Sequence, residues 1–290
     1  MEAVPLALVL IAAVMHAAWN LLLKRSGDKS AFAWLGLCAT VVLYAPIFFA
    51  TADAGEFRAG FGFALVSGTL QGLYLLLMCA AFTEGDLSVV YPLSRAVGAA
   101  LIALLGVPIF HEELSGLGVV GIVLVSGGLL GLHAQSGRLR DWRGALRLLR
   151  SRPSQVAIGA GLVITAYHLV DKAGVGRLSP TPYIFICFVF DAIVLTAFVI
   201  GSRRGERARA EWRARATSAI AVGVLSLVSY LLVLWAMRLG GKVSYIGSLR
   251  NFSVVVGTVL GVTMLHEPHA TTRIPAACVI VVGIICIGAA

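Results

Sequence analysis

The stretch "RAVGAALIALLGVPIFHE", residues 95–112, opens on an arginine and then runs from Ala96 to Phe110 without another charge. Almost the same plan returns as "RNFSVVVGTVLGVTMLHE", residues 250–267. Apolar runs of this kind fill the chain. Of its 290 residues, 59% are hydrophobic and 13% are charged, about half the charge that a soluble domain carries. A run of about 20 apolar residues can cross a hydrocarbon core of roughly 30 Å as a helix. Ten such spans are expected, at 4–24, 31–51, 60–82, 87–110, 115–133, 155–173, 180–200, 216–238, 243–264 and 271–289. A barrel of strands is excluded, because barrel strands alternate apolar and polar residues. "VVLYAPIFFA" (41–50) and "AACVIVVGIICIGAA" (276–290) are apolar on every side. The first span is read as a membrane helix and not a cleaved leader, since only Glu2 precedes Pro5 and no basic segment leads it.

The chain is a duplication. A shift of 155 residues lays Arg95 on Arg250, Leu105-Gly106-Val107 on Leu260-Gly261-Val262, and His111-Glu112 on His266-Glu267. Gly85 meets Gly240 in the same register. At a shift of 148, "AWNLLLK" (18–24) meets "AYHLVDK" (166–172), so Lys24 matches Lys172. The difference places about seven extra residues in the connection 201–215. Spans 1–5 are therefore repeated as spans 6–10. Five is odd, so the second unit enters the membrane from the opposite side. The expected fold is an all-α integral membrane protein of ten transmembrane helices in two inverted five-helix repeats, 1–133 and 155–290, joined by 134–154. Inverted repeats characterise secondary transporters, whose substrate sites lie near the bilayer midplane between the halves.

The ten-span duplicated plan, the Gly-rich spans and the Glu-containing junctions "IFHEEL" and "MLHEPH" resemble the EamA-type transporters of the drug/metabolite transporter superfamily. The resemblance covers essentially the whole chain. It implies transport of small metabolites, often export of amino acids or other amphipathic compounds. The small multidrug relatives carry a coupling glutamate in their first helix; here span 1 has no acid beyond Glu2.

Candidate site residues follow from the cost of polar groups in a membrane. An arginine within a span costs at least about 2.5–3.5 kcal/mol, so Arg95 and Arg250 face a wet cavity, a carboxylate or an anionic ligand. Arg95 lies about 12 Å into span 4 at 1.5 Å per residue, and Arg250 lies at similar depth from the other face. The guanidinium fork suits carboxylate or phosphate. Asp191 is the acid deepest in a span, and is expected either to couple transport through a proton or to pair with an arginine. His16, Asn20 and Lys24 share one face of span 1 beside Trp19, and Tyr167, His168, Asp171 and Lys172 are their counterparts in span 6. Gln71, Tyr74 and Met78 form a similar stripe in span 3, with Ser226 and Tyr230 in span 8. These stripes either line a cavity or bond helix to helix. The cavity is expected between spans 1, 3, 4, 6, 8 and 9.

Other classes are less well supported. The HE pairs lack the HExxH spacing of a zinc protease, and Cys38, Cys79, Cys187, Cys278 and Cys286 show no CxxC pairing, so no metal and no cofactor is expected. Glu112 and Glu267 are placed at the N-termini of spans 5 and 10, where a carboxylate meets free N–H groups. A membrane-embedded enzyme needs a nucleophile with its base, or a metal set, and the spans offer neither. The net charge of +9 sits beside the spans, which argues for membrane contact and against nucleic acid. The segment 137–153 reads as an amphipathic helix on an anionic leaflet. Counting the residues at the span ends, sixteen Lys and Arg lie at the odd-numbered connections and five at the even-numbered ones. The positive-inside rule thus puts 134–154 in the cytoplasm and both termini outside; the family resemblance implies the reverse. The expected protein is a multi-pass protein of the cell inner (plasma) membrane, monomer or homodimer. Its partners are the lipid bilayer and a small anionic or zwitterionic metabolite (amino acid, organic acid, phosphorylated or phosphonate compound), which it exports by alternating access. The alternative is multidrug-type efflux of amphipathic or cationic compounds.

Overall fold

The structure is a computed structural model that describes residues 1–84, 87–134, 152–264 and 270–290. Its elements are helices: α1 (Ala3–Lys24), α2 (Lys29–Thr51), α3 (Ala54–Glu84), α4 (Leu87–Phe110), α5 (Gly116–Ala134), α6 (Arg152–Gly174), α7 (Pro180–Gly201), α8 (Gly205–Arg238), α9 (Val243–Leu249), α10 (Phe252–Met264) and α11 (Ala270–Ala289). Among the described residues eight spans are long and apolar enough to cross a membrane, the α9–α10 run counting as one. The apolar parts of α5 and α11, Gly116–Leu132 and Arg273–Ala289, are shorter. Large apolar side chains such as Phe49 (77% exposed) and Val42 (73%) point outward, as lipid-facing positions require. Most of 134–154, together with Glu84, Asp86, His266, Glu267 and His269, falls outside the described residues or side chains.

Two boundaries differ from the hydropathy reading. The connection 201–215 is mostly helical: α8 starts at Gly205 and kinks at Arg215, where φ is −147°. Hydropathy reported only the apolar part beyond the kink. The ninth span is broken. Asn251, Ser253 and Val254 donate their N–H groups three residues back instead of four. Asn251 Nδ2 satisfies Gly247 O at 3.0 Å and Ser253 Oγ satisfies Arg250 O at 2.9 Å. Freed backbone groups at membrane depth need such substitutes. At the positions 155 residues earlier stand Ala96 and Gly98, which offer none, and α4 stays continuous.

The helices of 1–134 pack mainly on those of 152–290. α1 lies on α8 and α3 on α6; α2 crosses α8 and α3 crosses α7; α4 packs on α6 and α5 on α11. Two crossings depend on glycine. A Cβ at Gly223 of α8 would lie 2.2 Å from Gly36 O of α2, and a Cβ at Gly68 of α3 would lie 2.3 Å from Cys187 O of α7. Backbone meets backbone at both places, which is how helices approach closely without a hydrophobic driving force. Gly68 and Gly223 are themselves 155 residues apart.

The ends of the helices are tied across the same divide. Glu56 Oε2 accepts from Ser179 N at 3.0 Å, at the start of α7. Glu211 Oε1 accepts from Asp28 N at 2.8 Å, at the start of α2. These glutamates open "EFRA" (56–59) and "EWRA" (211–214), again 155 apart. Alternation of the spans puts the two ties on opposite faces of the membrane. Glu112 departs from expectation. It lies before α5 and accepts from Val243 N (2.5 Å) and Ser244 N (3.2 Å) at the start of α9. α5 uses Ser115 instead, whose Oγ accepts from Gly118 N at 3.1 Å. The turn at His111, with φ of 51°, carries Glu112 past its own next helix.

Asp28 caps α2 through Ala31 N (3.0 Å) and accepts from Arg204 at 2.8 Å and Arg207 at 3.3 Å, with 8% of its side chain exposed. Burial is the largest single influence and raises its pKa. The Ala31 N–H and the two arginines together outweigh it, so the carboxyl titrates below its ordinary value. A lowered folded pKa contributes stability that is present above the unfolded pKa and lost as pH falls through the folded value. Asp28→Asn keeps the cap oxygen and removes the charge. It is expected to cost about 1 kcal/mol at neutral pH, with the gap from wild type closing below about pH 4. Thermal unfolding in detergent from pH 7 to pH 3 tests this; a gap independent of pH would assign the effect to the cap alone.

Candidate functional site

A cavity of about 80 Å³ lies among the helices, room for a handful of waters. Its wall takes His16, Trp19 and Leu23 from α1, Ala33 and Leu37 from α2, Gln71, Tyr74 and Leu75 from α3, and Tyr167 from α6. Phe188 and Asp191 come from α7, five residues including Ser226 and Tyr230 from α8, and Arg250 from the α9–α10 break. Among the described residues α4 contributes none to this wall, where the sequence reading placed it, while α2 and α7 do. The close crossings at Gly36–Gly223 and Gly68–Cys187 pull α2 and α7 inward.

Two arginine–histidine pairs dominate the polar interior. Arg95 Nη2 meets His16 Nε2 at 2.6 Å, and Arg250 Nη1 meets His168 Nε2 at 2.7 Å. His168 Nδ1 also lies 2.9 Å from Ile164 O. A carbonyl only accepts, so Nδ1 carries the hydrogen; a guanidinium only donates, so Nε2 carries the lone pair. The imidazole is neutral and adds no countercharge; Asp171, bonded to the Tyr230 hydroxyl, acts on Arg250 only beyond salt-bridge distance. Among the described residues no carboxylate comes within 4 Å of Arg95 or Arg250. Aromatic faces surround the cations instead. Arg250 lies 4.8 Å from the Tyr230 centroid, and Arg95 lies 5.1 Å and 5.9 Å from those of Tyr91 and Tyr74.

The pairs stand in opposite order. In the first half His16 is on the wall and Arg95 lies behind it; in the second Arg250 is on the wall and His168 lies behind it. The register of 148 had paired His168 with Asn20. The structure gives His168 the role of His16, one helical turn away.

The buried acids of the second half differ from each other. Asp171 accepts from Tyr183 Oη at 2.8 Å and from Tyr230 Oη, so it fixes the ring beneath Arg250 and pairs with no arginine. Asp191 is 6% exposed and reaches the wall. No described donor contacts it, and its Oδ1 is buried without a partner. Neither arginine is its salt-bridge partner. Of the remaining expected residues, Gln71 is on the wall and donates to Ser67 Oγ at 2.9 Å. Asn20 is off the wall and donates to His16 O at 2.9 Å. Lys172 caps the end of α8 through Met237 O and Gly241 O. The ties of Glu56 and Glu211 were not anticipated. Their signal was present, because "EFRA" and "EWRA" keep the register of the two arginines. Among the described residues no group of three His, Cys, Asp or Glu could hold a metal.

Residues 154–289 match the model of the EamA-like transporter family. Over these residues the chain is similar to the EamA-like transporter family. That family lies in the drug/metabolite transporter superfamily, and eight spans among the described residues are long and apolar enough to cross a membrane. A solved crystal structure is similar to the chain over 98% of its length and 96% of that structure's own, with a TM-score of 0.71 at 14% identity. That likeness shows the fold alone. No curated protein matches.

Proposed function

We propose that this EamA-like protein is a secondary transporter that exports a small anionic or zwitterionic metabolite across the cell inner membrane by alternating access. The observation that carries this reading is Arg250. It is a cation on a cavity wall, held by a neutral imidazole and, among the described residues, with no carboxylate within 4 Å. A cation at membrane depth is costly, and an anionic group on the substrate supplies the missing countercharge through the bidentate fork. The remaining wall is mostly apolar, as small-molecule sites are.

The halves 1–133 and 155–290 act as inverted repeats in this reading. Support comes from the paired crossings at Gly68 and Gly223 and from the paired ties of Glu56 and Glu211. The reversed order of the two Arg–His pairs supports different conformations for the two halves. In the opposite-facing state the halves exchange conformations, so Arg95 moves to the wall and Arg250 withdraws behind His168. The ties at the two faces are then gates. Each holds the start of one half's helix on the other half, and each opens in turn.

Thermal-shift screening of the purified protein tests the substrate reading. Amino acids, organic acids and phosphonates are expected to stabilise it, and cationic dyes are not. Stabilisation by the dyes alone would point to cationic efflux. The gates are tested on a background without native cysteines. A Glu56→Cys, Ser179→Cys pair at one face, and a Glu211→Cys, Asp28→Cys pair at the other, are each cross-linked. Either cross-link is expected to stop uptake into proteoliposomes by more than about tenfold, a barrier rise of about 1.4 kcal/mol or more, with recovery on cleavage of the linker. Full transport by both cross-linked forms would remove the gating role.

A further inference from the structure

We infer that Asp191 is the cation-binding pole of the cavity and takes the ammonium group of a zwitterion whose anionic group rests on Arg250. This deepens the reading above and depends on it for the anionic end. The contrast with Asp171 carries the inference. Both carboxylates are buried in the second half. The protein furnishes Asp171 with two tyrosine hydroxyls. Asp191, on the wall, receives no donor from the described residues. Its Oδ1 is packed beside Gly72, where even a Cβ would lie only 3.2 Å from it. A buried carboxylate without a donor is costly, and removal of a partner from a buried charge is among the most destabilising changes known. A group with N–H donors and positive charge in the cavity removes that cost. Among the described residues the cavity wall therefore holds a guanidinium with no carboxylate against it and a carboxyl group with no donor against it. They are too far apart to form a salt bridge with each other. A substrate bearing both charges satisfies both poles, while an anion leaves Asp191 bare and a cation leaves Arg250 bare. Leu23, Leu37, Leu75 and Phe188 line the wall that an aliphatic or aromatic side chain meets.

The test measures binding to purified protein with three matched probe sets. They are leucine, 4-methylpentanoate and 3-methylbutylamine; phenylalanine, 3-phenylpropanoate and 2-phenylethylamine; alanine, propanoate and ethylamine. Within a set, the zwitterion is expected to bind about 30-fold or more tightly than the acid that lacks the amino group, the effect of unpairing one buried charge. Asp191→Asn, which keeps shape and removes charge, is expected to bring zwitterion and acid within about threefold of each other. Arg250→Gln is expected to bring zwitterion and amine together in the same way. An unchanged zwitterion-to-acid ratio in Asp191→Asn overturns the proposal, as does equal loss of all three probes in that variant. Acids that bind as well as zwitterions in wild type overturn it too, while the anionic-substrate reading survives. Failure of the acids and zwitterions alike, with Arg250→Gln indistinguishable from wild type, overturns that reading and the proposal together.

Discussion

Arg250→Ala is expected to reduce transport of anionic and zwitterionic compounds about 30-fold or more, while the protein still folds. The loss follows from removing the charged partner of a desolvated ligand group, worth roughly 2–5 kcal/mol. The stability cost is smaller. Arg250 is held by the Nε2 of neutral His168 and the face of Tyr230. Its removal strands an imidazole acceptor, a cost of about 1–3 kcal/mol. Had a buried carboxylate been its partner, the cost would have been about 3–5 kcal/mol. Arg250→Lys is expected to rescue only in part, because a point charge does not reproduce the planar fork. Arg95 separates binding from turnover. It lies behind His16, so Arg95→Ala should change ligand binding in this state by less than about threefold, under 1 kcal/mol. Turnover should still fall, since in the proposed exchange of conformations Arg95 becomes the wall residue of the opposite-facing state. Uptake into proteoliposomes beside thermal unfolding decides the matter. Lost stability in both alanine variants, with an equal defect for every compound, would sink the role of the arginines in binding anions.

Gly223→Leu is expected to prevent folding. Even the first side-chain carbon would lie 2.2 Å from both Gly36 O and Thr40 Oγ1. The obstacle is backbone, so α2 and α8 must separate. Overpacking of a well-fitted contact costs about 1–3 kcal/mol and more where backbone blocks the way, and the further carbons of leucine have no space. Gly223 also lines the cavity, so partial accommodation would distort the site. Gly68→Leu should behave alike at the α3–α7 crossing. Gly127→Ala and Gly159→Ala are the controls, because nothing lies within 4 Å of a Cβ at either. These should be neutral or gain up to about 1 kcal/mol from helix propensity. Yield of folded protein and thermal unfolding in detergent separate the two groups. If Gly223→Leu unfolds with the controls, the close crossing is not what holds the halves together.

Hydropathy alone marked the apolar runs able to cross a membrane, because transfer into lipid is a local cost summed over about 20 residues. The register of 155 pointed to a duplication and set Arg95 and Arg250 at matching positions. A one-dimensional signal went no further, and the tertiary structure decided what those residues meet. Arg250 reaches the cavity and Arg95 stops behind His16, since depth and rotation of a helix depend on the helices packed against it. Glu112 reads locally as the cap of its own next helix, yet the turn at His111 swings it onto α9. Hydrogen bonding satisfies the nearest free N–H groups in space, whatever their separation along the chain. Asp191 shows the same division. Its burial was legible from its place in an apolar span, but its lack of a partner was not. That property belongs to every side chain around it, and only the packed bundle fixes which of them come within reach.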